Sequence, residues 1–231
     1  MFEFIIDILF PKRCPGCLNL VKDDSNFCNT CLQKIKIYNH LFCPTCGARI
    51  YNFKKICHPK ENFILAAATN YNPTIENAIH LLKFKFASCA AKPLANLLIQ
   101  YFNQILKYNF LNMQNFIVIP IPLSKQRLKT RGFNQSELIA KSFADFFKIP
   151  LKTDLLFRIK NSKPQSEIKD LNQRKLNALN CFQIKNQELL KGKNIFLIDD
   201  VVTTGATIYE AVKVLKSAGV KKIIALAISK A

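Results

Sequence analysis

The chain changes texture near residue 60. Before it, apolar positions show little regular period and are punctuated by "CPGC", "CNTC" and "CPTCG". After it, short continuous apolar runs alternate with stretches whose apolar positions recur every three to four residues. The runs are "ILAAATNY" (64–71), "FIVIPI" (116–121), "NIFLID" (194–199) and "KKIIALAIS" (221–229). Unbroken runs of this length are expected of parallel strands buried on both faces. Between them, "TIENAIHLLKFKF" repeats Ile75, Ile79, Leu82 and Phe86 at helical spacing, and "KPLANLLIQYFNQIL" follows with a proline near its start. "SELIAKSFADFFK" and "TIYEAVKVLKSA" read as further helices, the last closed by Gly219. "LLFRIK" (155–160) is another candidate strand, and "NSKPQSEIKDLNQRKLNALN" reads as loop in its first half and helix in its second. Strands alternating with helices predict a doubly wound α/β domain over about residues 61–231, preceded by a small Cys-rich module over about 1–60.

Chain ends and charge alter this picture only a little. "MFEFIIDILF" predicts a short amphipathic helix packed on the body of the protein, because Glu3 and Asp7 stand where a signal peptide would be basic. No apolar run approaches the roughly 18–20 residues that cross a bilayer, so no transmembrane segment is expected. A cytoplasmic protein is expected, with peripheral contact at the inner membrane left open. The formal charge of +19 invites a polyanion partner, yet only six of the 34 basic residues are arginine. A compositional bias toward Lys, Asn and Ile explains the total equally well. Placement says more: Arg127, Arg131, Arg158 and Arg174 lie in one central stretch, and a planar guanidinium suits phosphate better than lysine's point charge.

Two groups of residues carry candidate chemistry. Cys14, Cys17, Cys28 and Cys31 form CxxC-x10-CxxC, a spacing that brings two tight turns and four thiolates around one Zn²⁺. Cys43, Cys46 and Cys57 follow as further candidate ligands, whereas Cys89 and Cys181 stand alone among apolar residues and read as buried small hydrophobes. The second group is "NIFLIDDVVTTGAT" (194–207). Burying Asp199 beside Asp200 costs free energy unless a cation or hydrogen bonds meet them, so the pair at a strand's carboxyl end predicts a ligand there. Thr203, Thr204 and Thr207 offer hydroxyls, and Gly205 lets the backbone close around an oxyanion. The following helix adds its amides and the positive end of its dipole. Carboxylates for a vicinal diol beside donors for a phosphate spell a ribose 5-phosphate site. A Walker-type nucleotide site would need GxxxxGK[ST], which the chain lacks.

"FLIDDVVTTGAT" resembles the phosphoribosyl pyrophosphate (PRPP) motif of type I phosphoribosyltransferases. "IPIPLSKQRLKTRGFNQSELIA", "FRIKNSKPQSEIKDLNQRKLNALNCF" and the N-terminal CxxC array resemble the ComF / GntX family, which is linked to competence and DNA utilisation. The resemblance implies a type I phosphoribosyltransferase-like doubly wound parallel sheet with a small N-terminal zinc-ribbon module. It implies that Asp199 and Asp200 hold the ribose hydroxyls and that Thr203, Thr204, Gly205, Ala206 and Thr207 cradle the 5-phosphate. Pyrophosphate would lie by Pro120–Pro122, under a mobile basic loop carrying Arg127, Lys129 and Arg131. Asp199, Asp200 and Arg131 are the catalytic candidates, with Mg²⁺ arriving with PRPP. Gln165 and Arg174 are further substrate-binding candidates, which either reach the site or cap local backbone.

Implied partners are PRPP, single-stranded DNA and DNA-uptake proteins. Two functions stay open: a PRPP-dependent transferase acting in DNA uptake or utilisation, or a non-catalytic single-stranded DNA binder that retains the pocket. For the second, Phe42, Tyr51 and Phe53 are candidate stacking residues. The family's eight-cysteine pattern would place a cysteine at position 60, where this chain has Lys60. One zinc is therefore expected. For a second, completion of Cys43, Cys46 and Cys57 by His58 or His40, or loss of the site, are both open.

Overall fold

The computed structural model describes residues 12–22, 27–53, 57–58, 63–83, 87–160 and 179–231. The Cys-rich segment contributes a one-turn helix, α1 (Asn29–Leu32), and two short strands, β1 (Leu41–Phe42) and β2 (Arg49–Ile50). Then come β3 (Ile64–Asn70), α2 (Pro73–Leu82), α3 (Ala87–Tyr108), β4 (Phe116–Pro120), α4 (Lys125–Arg131) and α5 (Gln135–Phe147). The remainder is β5 (Leu156–Arg158), β6 (Phe182–Ile184), β7 (Asn194–Val202), α6 (Ala206–Ser217) and β8 (Lys222–Lys230).

One sheet has the order β2-β1-β3-β8-β7-β4. The four strands β3, β8, β7 and β4 run parallel, with Ile198 of β7 beside Leu226 of β8 on one side and Pro120 of β4 on the other. β1 pairs antiparallel with β3, Phe42 opposite Leu65, so the Cys-rich segment extends this sheet. Inside the parallel strands the apolar runs divide between two cores. Phe196 and Ile198 point into one, with Ile75, Leu94, Phe102 and Phe143 from α2, α3 and α5. Ile195 and Leu197 point into the other, with Ile208, Val212 and Leu215 from α6. A strand covered on both faces has no polar side, which is why these runs lack alternation.

Several expectations need correction. The basic stretch 125–131 is a helix, not a loop. Ser124 caps it by accepting the Arg127 N–H at 3.4 Å, and Gly132, at φ +84°, ends it in the left-handed region. α3 begins at Ala87, so Pro93 sits inside the helix rather than at its start. β7 continues through both aspartates to Val202, which places them within the strand. β5 pairs antiparallel with β6 in a separate two-stranded ribbon. The expected amphipathic helix at 1–10 and the loop and helix over 161–178 lie outside the described residues. Among the described residues, no helix is long and apolar enough to cross a membrane.

Candidate functional site

At the carboxyl ends of β4 and β7 a cavity of about 400 Å³ is lined by both aspartates, Thr203, Thr207, Arg127, Arg131 and Arg158. Asp199 and Asp200 are each more than nine-tenths buried. Their surroundings come largely from the string "RGFNQS". Gly132 turns the chain out of α4, and Asn134 then caps α5 while its Nδ2 donates to the Ile121 carbonyl at 3.0 Å, pinning the helix to the end of β4. Ser136, in the first turn of α5, donates its hydroxyl to Asp199 Oδ1 at 3.1 Å. Arg131 Nη1 donates to Gln135 Oε1, which aims the guanidinium along the cavity wall. Each of these residues acts through local geometry set by its neighbour.

The two carboxyls are held in different states. Burial and the adjacent charge of Asp200 raise Asp199, although the Asp200 amide donates to its Oδ1 at 2.9 Å. Burial also pushes Asp200 upward, but the ammonium of Lys83 outweighs it and holds that carboxyl below the ordinary range. Lys83 Nζ lies 3.2 Å from Asp200 Oδ2, an ion pair without the alignment of a hydrogen bond. The Asp200 charge in turn raises the Lys83 ammonium. Lys83 follows α2 directly and lies 117 positions before its partner, so no local pattern in the sequence pointed to it. Exchanging it for methionine, Lys83→Met, is expected to destabilise the fold by about 2 kcal/mol, less than for a fully buried pair because a third of its side chain meets water. That loss, read by thermal melting, should be larger at pH 8 than at pH 5, where Asp200 can take up a proton instead. Equal losses at the two pH values would show that Lys83 does not hold the Asp200 charge.

The loop after β7 fits an anion. Gly205 has φ +74°, a conformation that L side chains rarely adopt, and it caps the start of α6. The Thr204 hydroxyl accepts the Ala206 N–H at 3.3 Å, tightening the turn, and Thr207, in the first turn of a twelve-residue helix, lines the cavity together with Thr203, whereas Thr204, Gly205 and Ala206 are not in its lining. Not every candidate reaches this place. Lys129 is exposed and lies outside the cavity's lining. Gln165 and Arg174 fall outside the described residues. Arg158, noted in the sequence only as one of four clustered arginines, does line the cavity.

In the Cys-rich segment the donors form two groups, each with its ligand atoms within 4.8 Å of one another. The first is Cys14, Cys17, Cys28 and Cys31; the second is Cys43, Cys46, Cys57 and His58. A tetrahedral zinc with Zn–S of about 2.3 Å sets its sulfurs about 3.8 Å apart. Cys17 and Cys28 have Sγ atoms 3.7 Å apart, and Cys46 and Cys57 3.4 Å. His58 Nδ1 stands 3.2 Å from Cys57 Sγ and 3.4 Å from Cys43 Sγ, where a fourth ligand belongs. The cluster thiols are split: the Cys31 amide lowers Cys28 to about 7, whereas burial raises Cys31 and the neighbouring Cys43 thiol raises Cys57 to about 12. Around Cys43, burial opposes the thiolate, but the Cys46 amide and the Cys57 and His58 side chains outweigh it and bring it down to about 6. The donor sets fit zinc at both places. Of the two histidines open to complete the second set where Lys60 replaces a cysteine, His58, two residues earlier, is the one that stands with Cys43, Cys46 and Cys57. His40 instead packs among the rings of Tyr38 and Phe42, at 5.0 and 4.7 Å. Of the candidate stacking residues, Phe42 and Phe53 are buried and Tyr51 is exposed.

A sheet of this topology, with an acidic pair running into a Thr–Gly loop and a ribbon of paired Cys clusters, defines a phosphoribosyltransferase-type domain joined to a zinc ribbon. Family models agree: a double zinc ribbon domain matches residues 5–59 and a phosphoribosyl transferase domain matches residues 129–230. The chain is 31% identical over 216 residues to the competence protein ComFC of Bacillus subtilis, covering 87% of this chain and 82% of that protein. It is 27% identical to competence protein F of Haemophilus influenzae, covering 91% and 92%. Identity to the DNA utilization protein YhgH of Salmonella typhimurium is 28%, covering 81% and 83%. The chain belongs to this ComF family. Among solved structures, a phosphoribosylpyrophosphate synthetase from Mycobacterium smegmatis overlaps 59% of the chain at 20% identity and a TM-score of 0.33, too distant to bear on function.

Proposed function

We propose that the chain binds PRPP at the carboxyl ends of β4 and β7 and serves DNA uptake or utilisation, its relatives being named for competence and for DNA utilization. The observation that carries this reading is the buried acidic pair opening directly into the Thr203–Thr207 loop, with arginines across the same cavity. The ionised Asp200 and the neutral Asp199 carboxyl hydrogen-bond the two ribose hydroxyls, and the loop and first turn of α6 receive the 5-phosphate. Arg127 and Arg131 face the pyrophosphate, whose departure from C1 leaves negative charge for them to meet. Asp199 and Asp200 also suit Mg²⁺ brought in by PRPP, which would neutralise pyrophosphate charge. The tested quantity is heat: PRPP with Mg²⁺ titrated into zinc-loaded protein should give saturable binding at one site per chain. No binding by folded, zinc-loaded protein would overturn the reading.

A further inference from the structure

The second donor cluster lies behind the phosphate loop. A small cavity of about 50 Å³ is lined by Pro44, between Cys43 and Cys46, and by Thr204, Gly205, Tyr209 and Lys230. So little space holds few water molecules, and Pro44 in effect walls the rear of the loop. Other contacts fix the same junction. Cys43 directly follows Phe42, which pairs with β3 and is buried in the core that also contains Val202 and Ile208, on either side of the loop. The turn itself closes through the Cys43 N–H to the Ala48 carbonyl at 2.8 Å and the Gly47 N–H to the Cys43 carbonyl at 3.0 Å. Phe63 meets Tyr209 edge-on at 5.1 Å, and Tyr209 packs 3.5 Å from where a Cβ on Gly205 would stand. Lys230 Nζ lies 5.6 Å from the Phe42 ring centroid and 3.8 Å from a Cβ built on Gly47. A cation thus stands beside the turn that carries Cys43 and Cys46.

We propose that the cluster Cys43, Cys46, Cys57 and His58, when metal-loaded, positions the phosphate loop, so that metal at this centre controls affinity for the phosphorylated ligand. The inference rests on the phosphate-binding reading above. Its physical basis is that a shared ion would join Cys57 and His58 to the Cys43–Cys46 turn far more firmly than their contacts of 3.4 Å do. Without the ion the turn keeps its backbone hydrogen bonds and the pairing of Phe42 with β3, but the side that carries Pro44 is freer to move, and Thr204 and Gly205 are backed less firmly. Binding then has to order the loop as well as fill it, and affinity falls by that coupling.

The experiment compares full-length wild type, His58→Ala and His58→Cys for zinc content, PRPP–Mg²⁺ affinity by calorimetry, and hydrogen exchange of the amides at 203–207 without ligand. His58→Ala is expected to carry one zinc fewer, to bind PRPP at least about tenfold more weakly, and to exchange faster at the loop. His58→Cys, which restores a four-ligand set, should recover all three. Loss of the metal with affinity and loop exchange unchanged overturns the proposal. If His58→Ala keeps its metal, the double variant Cys57→Ser/His58→Ala decides by the same readings. If neither folds, Pro44→Ala leaves the ligands intact and removes the wall; unchanged PRPP affinity there also overturns the proposal. Should wild type bind no PRPP at all, the functional reading fails, while loop exchange in His58→Ala still reports on the coupling: faster exchange upholds it and unchanged exchange rejects it.

Discussion

Asp200→Asn should reduce PRPP affinity about a hundredfold, equivalent to about 3 kcal/mol, while Asp199→Asn costs far less at pH 7. The asymmetry follows from the two environments. Asp200 is held ionised by Lys83 at 3.2 Å, and its charge is what a ribose hydroxyl would meet; the amide removes that charge and leaves the ammonium without its partner. Asp199 is raised to about 8 by burial and by Asp200's charge, so at pH 7 it already resembles its own amide. As pH climbs through about 8, wild type gains a second carboxylate for the diol, and affinity should rise. Stability moves the other way. A carboxyl whose folded pKa lies above its unfolded value contributes most at low pH, and that contribution is lost as the pH rises through the folded value. The wild-type melting temperature should therefore decline toward alkaline pH, and both trends should flatten in Asp199→Asn. Calorimetry and melting at pH 6.5, 7.5 and about 8.5 would check them; equal losses for the two variants at pH 7 would reject the assignment of a neutral and an ionised member.

Which parts of this were legible beforehand depended on how local the signal was. The strands β3, β4, β7 and β8 announced themselves because each buries both faces, and an unbroken apolar run bounded by turn residues suits a central parallel strand better than a half-exposed one. The acidic pair and the threonine loop were equally visible, since all their parts are contiguous. α4 was missed because its only apolar residue, Leu128, is 45% exposed, and hydrophobic period is silent on a helix without a buried face. The start and stop signals were nevertheless present in Ser124 and Gly132. β1, β2 and β6 are two or three residues long, too short to carry an alternation. Lys83 and Ser136 are a different case. Each reaches the acidic pair across 117 and 63 positions, and only the packing of α2 and α5 against the sheet brings them there. "RGFNQS" stood out as a family string without a reason. The reason is now a sequence of local devices: a left-handed turn, a cap tied to β4, an oriented arginine and a hydroxyl on Asp199.

Cys14→Ser should lose the zinc of its own cluster and unfold the ribbon. Cys14 is fully buried, its Sγ accepts the Cys28 N–H at 3.3 Å, and it shares a core with Cys31, Phe27 and Ile75. Serine is a poor zinc ligand, and without the ion its hydroxyl stays in that core beside three unpaired thiols. Zinc sites in small finger peptides are worth about 10–16 kcal/mol, which exceeds or equals the roughly 5–15 kcal/mol net stability of a whole domain. Regular structure around the cluster is slight among the described residues. α1 is one turn long, and Gly16 is already so close to Thr74 that a Cβ there would stand 2.5 Å from its methyl group. The ribbon has little core of its own, so the metal supplies the closure that a longer helix or sheet would otherwise give. The damage should spread to α2, because Asn77 Nδ2 donates to the Gly16 carbonyl at 3.0 Å and Thr74 packs on the same turn. α2 leads into Lys83, so PRPP affinity should weaken as well, though for a different reason than in His58→Ala: the cation moves, while the phosphate loop keeps its backing. Elemental analysis, protease sensitivity of residues 12–53 and exchange at the loop separate the two outcomes. Zinc content equal to wild type and an unchanged melting temperature in Cys14→Ser would remove it from the ligand set.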